Sequence, residues 1–263
     1  MPVRDRARPM VMKPGRDETG FNFRVADDRK WNPVSFAPYV LAVGIAGVAM
    51  AVFAREASLP VGPLYPWKVA AAFAAMVAGA LMLREEHPFA RLGPANRVTV
   101  ARAMLVALIA GAIGEPPNRP LATAMVVAIA ATAALDGVDG WLARRTGMSS
   151  PFGARIDMET DALLILGASI LVWQQGKAGV WVLAGGLMRY AFVASGWFLP
   201  WMRGTLTPTL RAKTITIVHV VGLCVALAPI IPWPVSAAAV GATTSALAWS
   251  FAVDVGRLRK ARD

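Results

Sequence analysis

The chemistry in this chain concentrates in four aspartates, Asp136, Asp139, Asp157 and Asp161. The first two are three positions apart and the last two are four apart, and either spacing puts both side chains on one helix face. All four sit at or near the inner ends of two long apolar stretches, where a charge costs about 2.5 kcal/mol or more to hold. The short connection between the stretches, residues 141–156, lets the two acidic faces meet as antiparallel neighbours. Four carboxylates brought together need a counter-charge, either protons or metal ions. An all-oxygen ligand set favours hard divalent cations, Mg²⁺ first and Mn²⁺ second. Two such ions held side by side clamp a phosphoryl centre and its leaving group. The plainer alternative is a set of solvated helix ends; Gly140, Gly153 and Arg144 in the same cluster weigh against it.

Other ionisable residues lie outside that cluster. Arg189 falls near the middle of an apolar stretch, in the run LMRYA, and an intramembrane arginine is expected to face a polar cavity. With Arg211 and Lys213 it is a candidate for binding a phosphate or carboxylate; the alternative is a buried pair with one of the motif aspartates. His219, a third of the way into its stretch, reads as a packed or hydrogen-bonded core residue, and Asp254 as an interfacial ion pair with Arg257 or Arg259. Glu159 shares a helix with Asp157 and Asp161 but, two residues from each, points to a different face, so it is not counted as a ligand. Upstream, Asn96, Thr99 and Arg102 stay within about a 120° arc of one helix face. They read either as part of the site or as a helix cap plus an arginine at the inner interface.

The elements that must carry these residues are membrane helices. Of 263 residues, 56% are hydrophobic and only 16% charged, with a mean hydropathy of +0.51. Soluble domains carry about a quarter charged residues, and a bilayer span needs roughly 20 apolar residues in a row. Eight such stretches are expected, at 35–54, 66–83, 98–113, 121–139, 156–173, 179–199, 214–231 and 235–253. Pro60, Pro63, Pro117, Pro120 and Gly176 mark turns, and Pro232 and Pro234 a tight hairpin. The fold class is therefore an all-α integral membrane protein.

Net charge is +11, but the basic residues flank apolar stretches as cytoplasmic loops do, so no nucleic-acid partner is expected. One face collects the first 31 residues, then Arg84, Arg91 and Arg97, Arg144, Arg145 and Arg155, Arg203, Arg211 and Lys213, and Arg257, Arg259, Lys260 and Arg262. The other keeps only Arg55, Lys68, Arg119 and Lys177. Both termini and the aspartates are thus expected on the cytoplasmic side. Residues 1–31 have no apolar run directly after their first basic residues, so they read as a partly disordered basic arm rather than a cleavable signal. The segment 84–93 (REEHPFARLG) reads as a short interfacial helix or an ordinary polar loop. Trp31, Trp67, Trp201 and Trp233 read as interfacial anchors, and the lone Cys224 excludes an intramolecular disulfide.

The run from Asp136 to Asp161 reads D-x2-D-G-x2-A-R-x8-G-x3-D-x3-D. It resembles the signature of the CDP-alcohol phosphotransferase (phosphatidyltransferase) family at every fixed position, and Asn96, Thr99 and Arg102 resemble the N-x2-T-x2-R that often opens the family's first core helix. The resemblance implies a six-helix catalytic membrane domain at 95–263, with 32–94 as two additional transmembrane helices and an interfacial segment. It implies two metal ions, one on Asp136, Asp139 and Asp157, the other on Asp136, Asp157 and Asp161, with Asp161 also the general base. Gly140, Ala143, Arg144 and Gly153 would lie against the CDP moiety, with Asn96 and Thr99 nearby.

The implied reaction is transfer of a phosphatidyl group from CDP-diacylglycerol to a small polar alcohol, with release of CMP and membrane lipids as the surroundings. A soluble CDP-alcohol with diacylglycerol as acceptor is the alternative within the family, and a homodimer is the implied assembly. Between Asp157 and Asp161 the chain has neither the D-P-x-A-D form common in phosphatidylglycerophosphate synthases nor the D-S-x-x-D form looked for in serine transferases, so the acceptor stays open. An intramembrane prenyltransferase would need a second aspartate motif on separate helices, and only Asp254 is available. A cation transporter would place its site near the bilayer midplane in repeated halves, and no repeat is visible.

Overall fold

The computed structural model describes residues 36–57, 59–83, 93–203 and 209–260. The basic arm, Trp31 and the expected interfacial segment up to residue 92 lie outside the described residues. Among the described residues every regular element is helical: α1 (Ala37–Glu56), α2 (Tyr65–Met82), α3 (Pro94–Gly111), α4 (Arg119–Thr146), α5 (Pro151–Gln174), α6 (Leu183–Phe198), α7 (Leu210–Leu227) and α8 (Trp233–Lys260). Short 3₁₀ turns, Val180–Val182 and Pro200–Arg203, flank α6.

Local chemistry starts these helices where it can. A proline sits in the first turn of each of α1 to α5, where its missing N–H costs nothing. Asn118, Ser150 and Thr209 cap α4, α5 and α7 by accepting from the backbone N–H groups of Leu121 (2.8 Å), Gly153 (3.0 Å) and Ala212 (3.1 Å). Gly147, at φ 66°, ends α4 in the left-handed conformation that favours glycine. In consequence α4 runs seven residues past the apolar stretch expected to end at 139, and α5 begins five residues before 156. The motif aspartates therefore lie inside helices rather than at their tips.

Helix α3 is the hub. It packs against α1, α2, α4 and α5, whereas α4 and α5 touch each other little. The expected direct pairing of the two acidic helices is thus replaced by a wedge, because α3 occupies the space between them. Met104, Ala107, Leu108 and Ile109 of α3 meet Ile129 of α4 and Leu164, Ala168 and Leu171 of α5 in one buried core. The α7–α8 hairpin closes the other side, with Leu223, Leu227 and Val240 buried.

Among the described residues five helices, α1, α2, α4, α7 and α8, are long and apolar enough to cross a membrane. Helix α6 has only 16 residues, while α3 carries Asn96, Arg97 and Arg102 and α5 carries Arg155, Asp157, Glu159 and Asp161. Large apolar side chains such as Leu41, Ile45, Phe53, Val127 and Trp197 are exposed around the bundle, as surfaces facing lipid are. The chain is an all-α integral membrane protein.

The N-terminal hairpin is fastened to the rest at the end remote from the aspartates. Glu115, only 5% exposed, accepts from the backbone N–H of Gly62 at 2.5 Å and pairs with Lys68, which also donates to the Ile113 carbonyl at 2.9 Å. Gln174 of α5 joins the same knot, donating to the Glu115 carbonyl and accepting from the Gly114 N–H, both at 2.7 Å. Asn118 donates to the Pro60 carbonyl at 3.2 Å. Lys177, also expected on this face, donates to the carbonyls of Ala228 (3.3 Å) and Ile231 (2.5 Å). Two of the four cations expected on the sparsely basic face, Lys68 and Lys177, therefore serve as ties between elements.

Candidate active site

Asp136 and Asp139 face inward from the second half of α4, and Asp157 and Asp161 from the first half of α5. The side chain that unites them is Arg102, which reaches in from the middle of α3 and is fully buried. Its Nη1 donates to Asp139 Oδ2 at 2.6 Å and to Asp157 Oδ1; its Nη2 pairs with Asp161 Oδ1 and, at 3.2 Å, with Asp136 Oδ1. One turn earlier, the Thr99 hydroxyl lies 3.2 Å from both Asp139 Oδ2 and the Ala95 carbonyl oxygen of its own helix, its one proton shared between the two acceptors. A planar, five-donor guanidinium suits this task, since it serves several carboxylates in one fixed geometry.

Asp136, Asp139 and Asp157 each present an oxygen within 4.8 Å of the others. That donor set, carboxylate oxygen only and partly buried, fits a hard divalent cation. The four acids outnumber the one guanidinium among them, which leaves carboxylate charge for protons or a divalent ion to offset.

The neighbouring motif residues shape the approach. A Cβ on Gly153 would stand 3.0 Å from Asn96 Oδ1 and 3.3 Å from Ser150 Oγ. Glycine there lets the first turn of α5 lie against α3, which brings Asn96 beside the α5 N-terminus. A Cβ on Gly140 would meet only the Arg144 guanidinium, at 3.4 Å, so the face of α4 beside Arg144 is bare backbone. Arg144 is exposed and Ala143 half-buried on the same helix.

The residues expected to hold a second substrate are placed elsewhere. Arg189 of α6 pairs with Glu159 and donates to Met158 Sδ at 2.8 Å. The alternative of a pair with a motif aspartate is therefore replaced by Glu159, which two residues from each acidic neighbour lies on the opposite side of α5 and points at α6. Arg211 pairs with Asp254, donates to the Ser250 carbonyl at 3.3 Å and stacks over Trp249 at 5.5 Å. Asp254 thus takes its main partner from α7, with Arg257 at 3.7 Å, because α7 and α8 pack side by side. Lys213 is exposed on the first turn of α7. His219 is fully buried with Nδ1 3.3 Å from Thr243 Oγ1, a core residue as expected.

Arg102, which by sequence alone reads equally as an arginine at the inner interface, is the residue on which the site centres. The signal was charge arithmetic: a cation inside an apolar stretch, on a helix that carries no acid of its own, beside two helices that carry the four aspartates.

The family model for CDP-alcohol phosphatidyltransferases matches residues 92–253, most of the chain. The chain belongs to the CDP-alcohol phosphatidyltransferase family. A Pseudomonas fluorescens protein described as a CDP-diacylglycerol--glycerol-3-phosphate 3-phosphatidyltransferase is 38% identical over 80 residues, covering 30% of this chain and 40% of that protein. The matched stretch is thus less than half of the relative. No solved structure matches.

Proposed function

We propose that this chain transfers a phosphatidyl group from CDP-diacylglycerol to the hydroxyl of a small polar alcohol, releasing CMP, in phospholipid biosynthesis. The observation that carries the reading is the convergence of all four signature aspartates on one point between α3, α4 and α5, in a chain of this family. Glycerol 3-phosphate, named in the description of the Pseudomonas relative, is the first acceptor to test.

Asp136, Asp139 and Asp157 would hold one divalent ion and Asp136, Asp157 and Asp161 a second, Mg²⁺ or Mn²⁺. Such ions supply Lewis-acid stabilisation for charge building on the phosphate oxygens. Asp161 takes the proton of the acceptor hydroxyl, which is a poor nucleophile until it loses it. The acceptor oxygen bonds to the β-phosphorus as the bond to the CMP oxygen breaks. Arg144, beside the bare backbone of Gly140, faces the nucleotide phosphates with two donors, with Ala143, Gly153, Asn96 and Thr99 bordering the CDP moiety. Arg189, Arg211 and Lys213 meet the acceptor's charged group, which requires Arg189 and Arg211 to share or exchange their present acidic partners.

The proposal extends to architecture. Residues 95–263 form the catalytic six-helix domain and 32–94 an added pair of spans, a division supported by the match at 92–253. Eight crossings place the termini and the aspartates on the cytoplasmic side, supported by the lysine and arginine asymmetry. The chain works as a homodimer, on family resemblance. The test is a panel: purified protein, Mg²⁺ and CDP-diacylglycerol with each candidate acceptor, scoring CMP and the lipid product. CMP release that depends on one acceptor is expected; no CMP with any of them, or with a soluble CDP-alcohol and diacylglycerol only, overturns the reading.

A further inference from the structure

The arrangement around Arg102 contains more than a counter-charge. Each terminal nitrogen bridges the two acidic helices. Nη1 joins Asp139 of α4 to Asp157 of α5, and Nη2 joins Asp136 of α4 to Asp161 of α5. Direct packing between α4 and α5 is slight, so little else at this level fixes the distance between the two carboxylate pairs. Arg102 itself hangs from α3, which packs firmly on both neighbours, and it is fully buried among core residues.

The guanidinium engages one oxygen of each of the four carboxylates: Oδ1 of Asp136, Asp157 and Asp161, and Oδ2 of Asp139. Each carboxylate carries a second oxygen besides that one. Thr99 adds a bond to the same Oδ2 of Asp139 that Arg102 uses, so both α3 side chains act on one oxygen of that acid and orient the other.

We infer that Arg102 is a positioning residue: its two-nitrogen bridge sets the spacing of the acid pairs on α4 and α5 and thereby the affinity of the site for divalent cations. This rests on the metal-binding reading of the four aspartates. Full burial sets it apart from a substrate-binding arginine such as Arg144, which is exposed. A competing role is that of a placeholder that a cation must displace, and the two roles predict opposite signs. Groups that orient metal ligands from behind cost 10- to 100-fold in metal affinity when altered, whereas removing a competitor tightens binding.

Arg102→Lys separates them. It keeps the charge, so the long-range attraction of the site for cations is preserved, but one ammonium point cannot reproduce the two-nitrogen bridge. The measurement is Mn²⁺ binding to the full chain in detergent, without nucleotide or lipid, read from the loss of the free-ion electron paramagnetic resonance signal. Affinity is expected to fall about 10- to 100-fold in Arg102→Lys. Thr99→Val, which removes the hydroxyl at constant charge and nearly constant volume, is expected to weaken binding in the same direction by less, and it carries the test if Arg102→Lys does not fold. Unchanged or tighter Mn²⁺ binding in whichever folded variant is measured overturns the positioning role while leaving the metal site intact. A wild-type chain that binds no Mn²⁺ overturns the metal reading, and this inference with it.

Discussion

The latch between the N-terminal hairpin and the core makes a sharp energetic prediction, because its two partners differ in burial. The Glu115 carboxylate is 5% exposed and Lys68 is 34% exposed. Lys68→Met removes the cation and the bond to the Ile113 carbonyl, stranding a buried carboxylate with the Gly62 N–H as its remaining partner. Breaking a buried pair in this way costs about 3–5 kcal/mol; since Lys68 is one-third exposed, the lower half of that range is expected. Glu115→Gln keeps an oxygen for the Gly62 N–H and leaves a lysine that turns toward solvent. It exchanges charge-assisted bonds for neutral ones, a loss of about 1–2 kcal/mol. The double variant leaves neither charge unpaired and should be more stable than Lys68→Met alone. Equilibrium unfolding in mixed micelles, run as a double-mutant cycle, measures the difference. Lys68→Met costing no more than Glu115→Gln, or two effects that simply add, would show that the latch does not hold the hairpin.

Further outcomes follow from the site. Asp161→Asn should lower turnover by about 10²–10⁴-fold, the usual contribution of a general base, while CDP-diacylglycerol still binds; normal turnover in a CMP-release assay would remove Asp161 from that role. Chelation of divalent ions should abolish CMP release and Mg²⁺ should restore it, whereas activity that survives exhaustive chelation would contradict the metal reading. Arg189→Ala should raise the acceptor's KM more than the donor's. An unchanged acceptor KM would leave Arg189 with only its pairing to Glu159.

Much of this molecule was legible in one dimension, for physical reasons. Membrane spans announce themselves because a bilayer demands about 20 apolar residues in sequence, and α1, α2, α4, α7 and α8 follow from that demand. The four aspartates were legible because helix periodicity converts spacings of three and four into a shared face. Helix ends were less so: the turns of α4 and α5 beyond the apolar stretches depend on capping by Gly147 and Ser150, which hydropathy does not register.

What the sequence by itself determined was the identity and facing of the acids within each helix. Which helices those faces meet is a matter between elements, and the tertiary structure alone decided it. The expectation of α4 directly against α5 gave way to α3 between them, with Arg102 spanning all four carboxylates. The same holds for Glu159 with Arg189, Arg211 with Asp254, and Glu115 with Lys68: each joins residues 30 or more positions apart. A charge deep in a helix bundle must find a partner. Its own helix fixes the direction in which it looks, and the packing of the other helices fixes what it finds there.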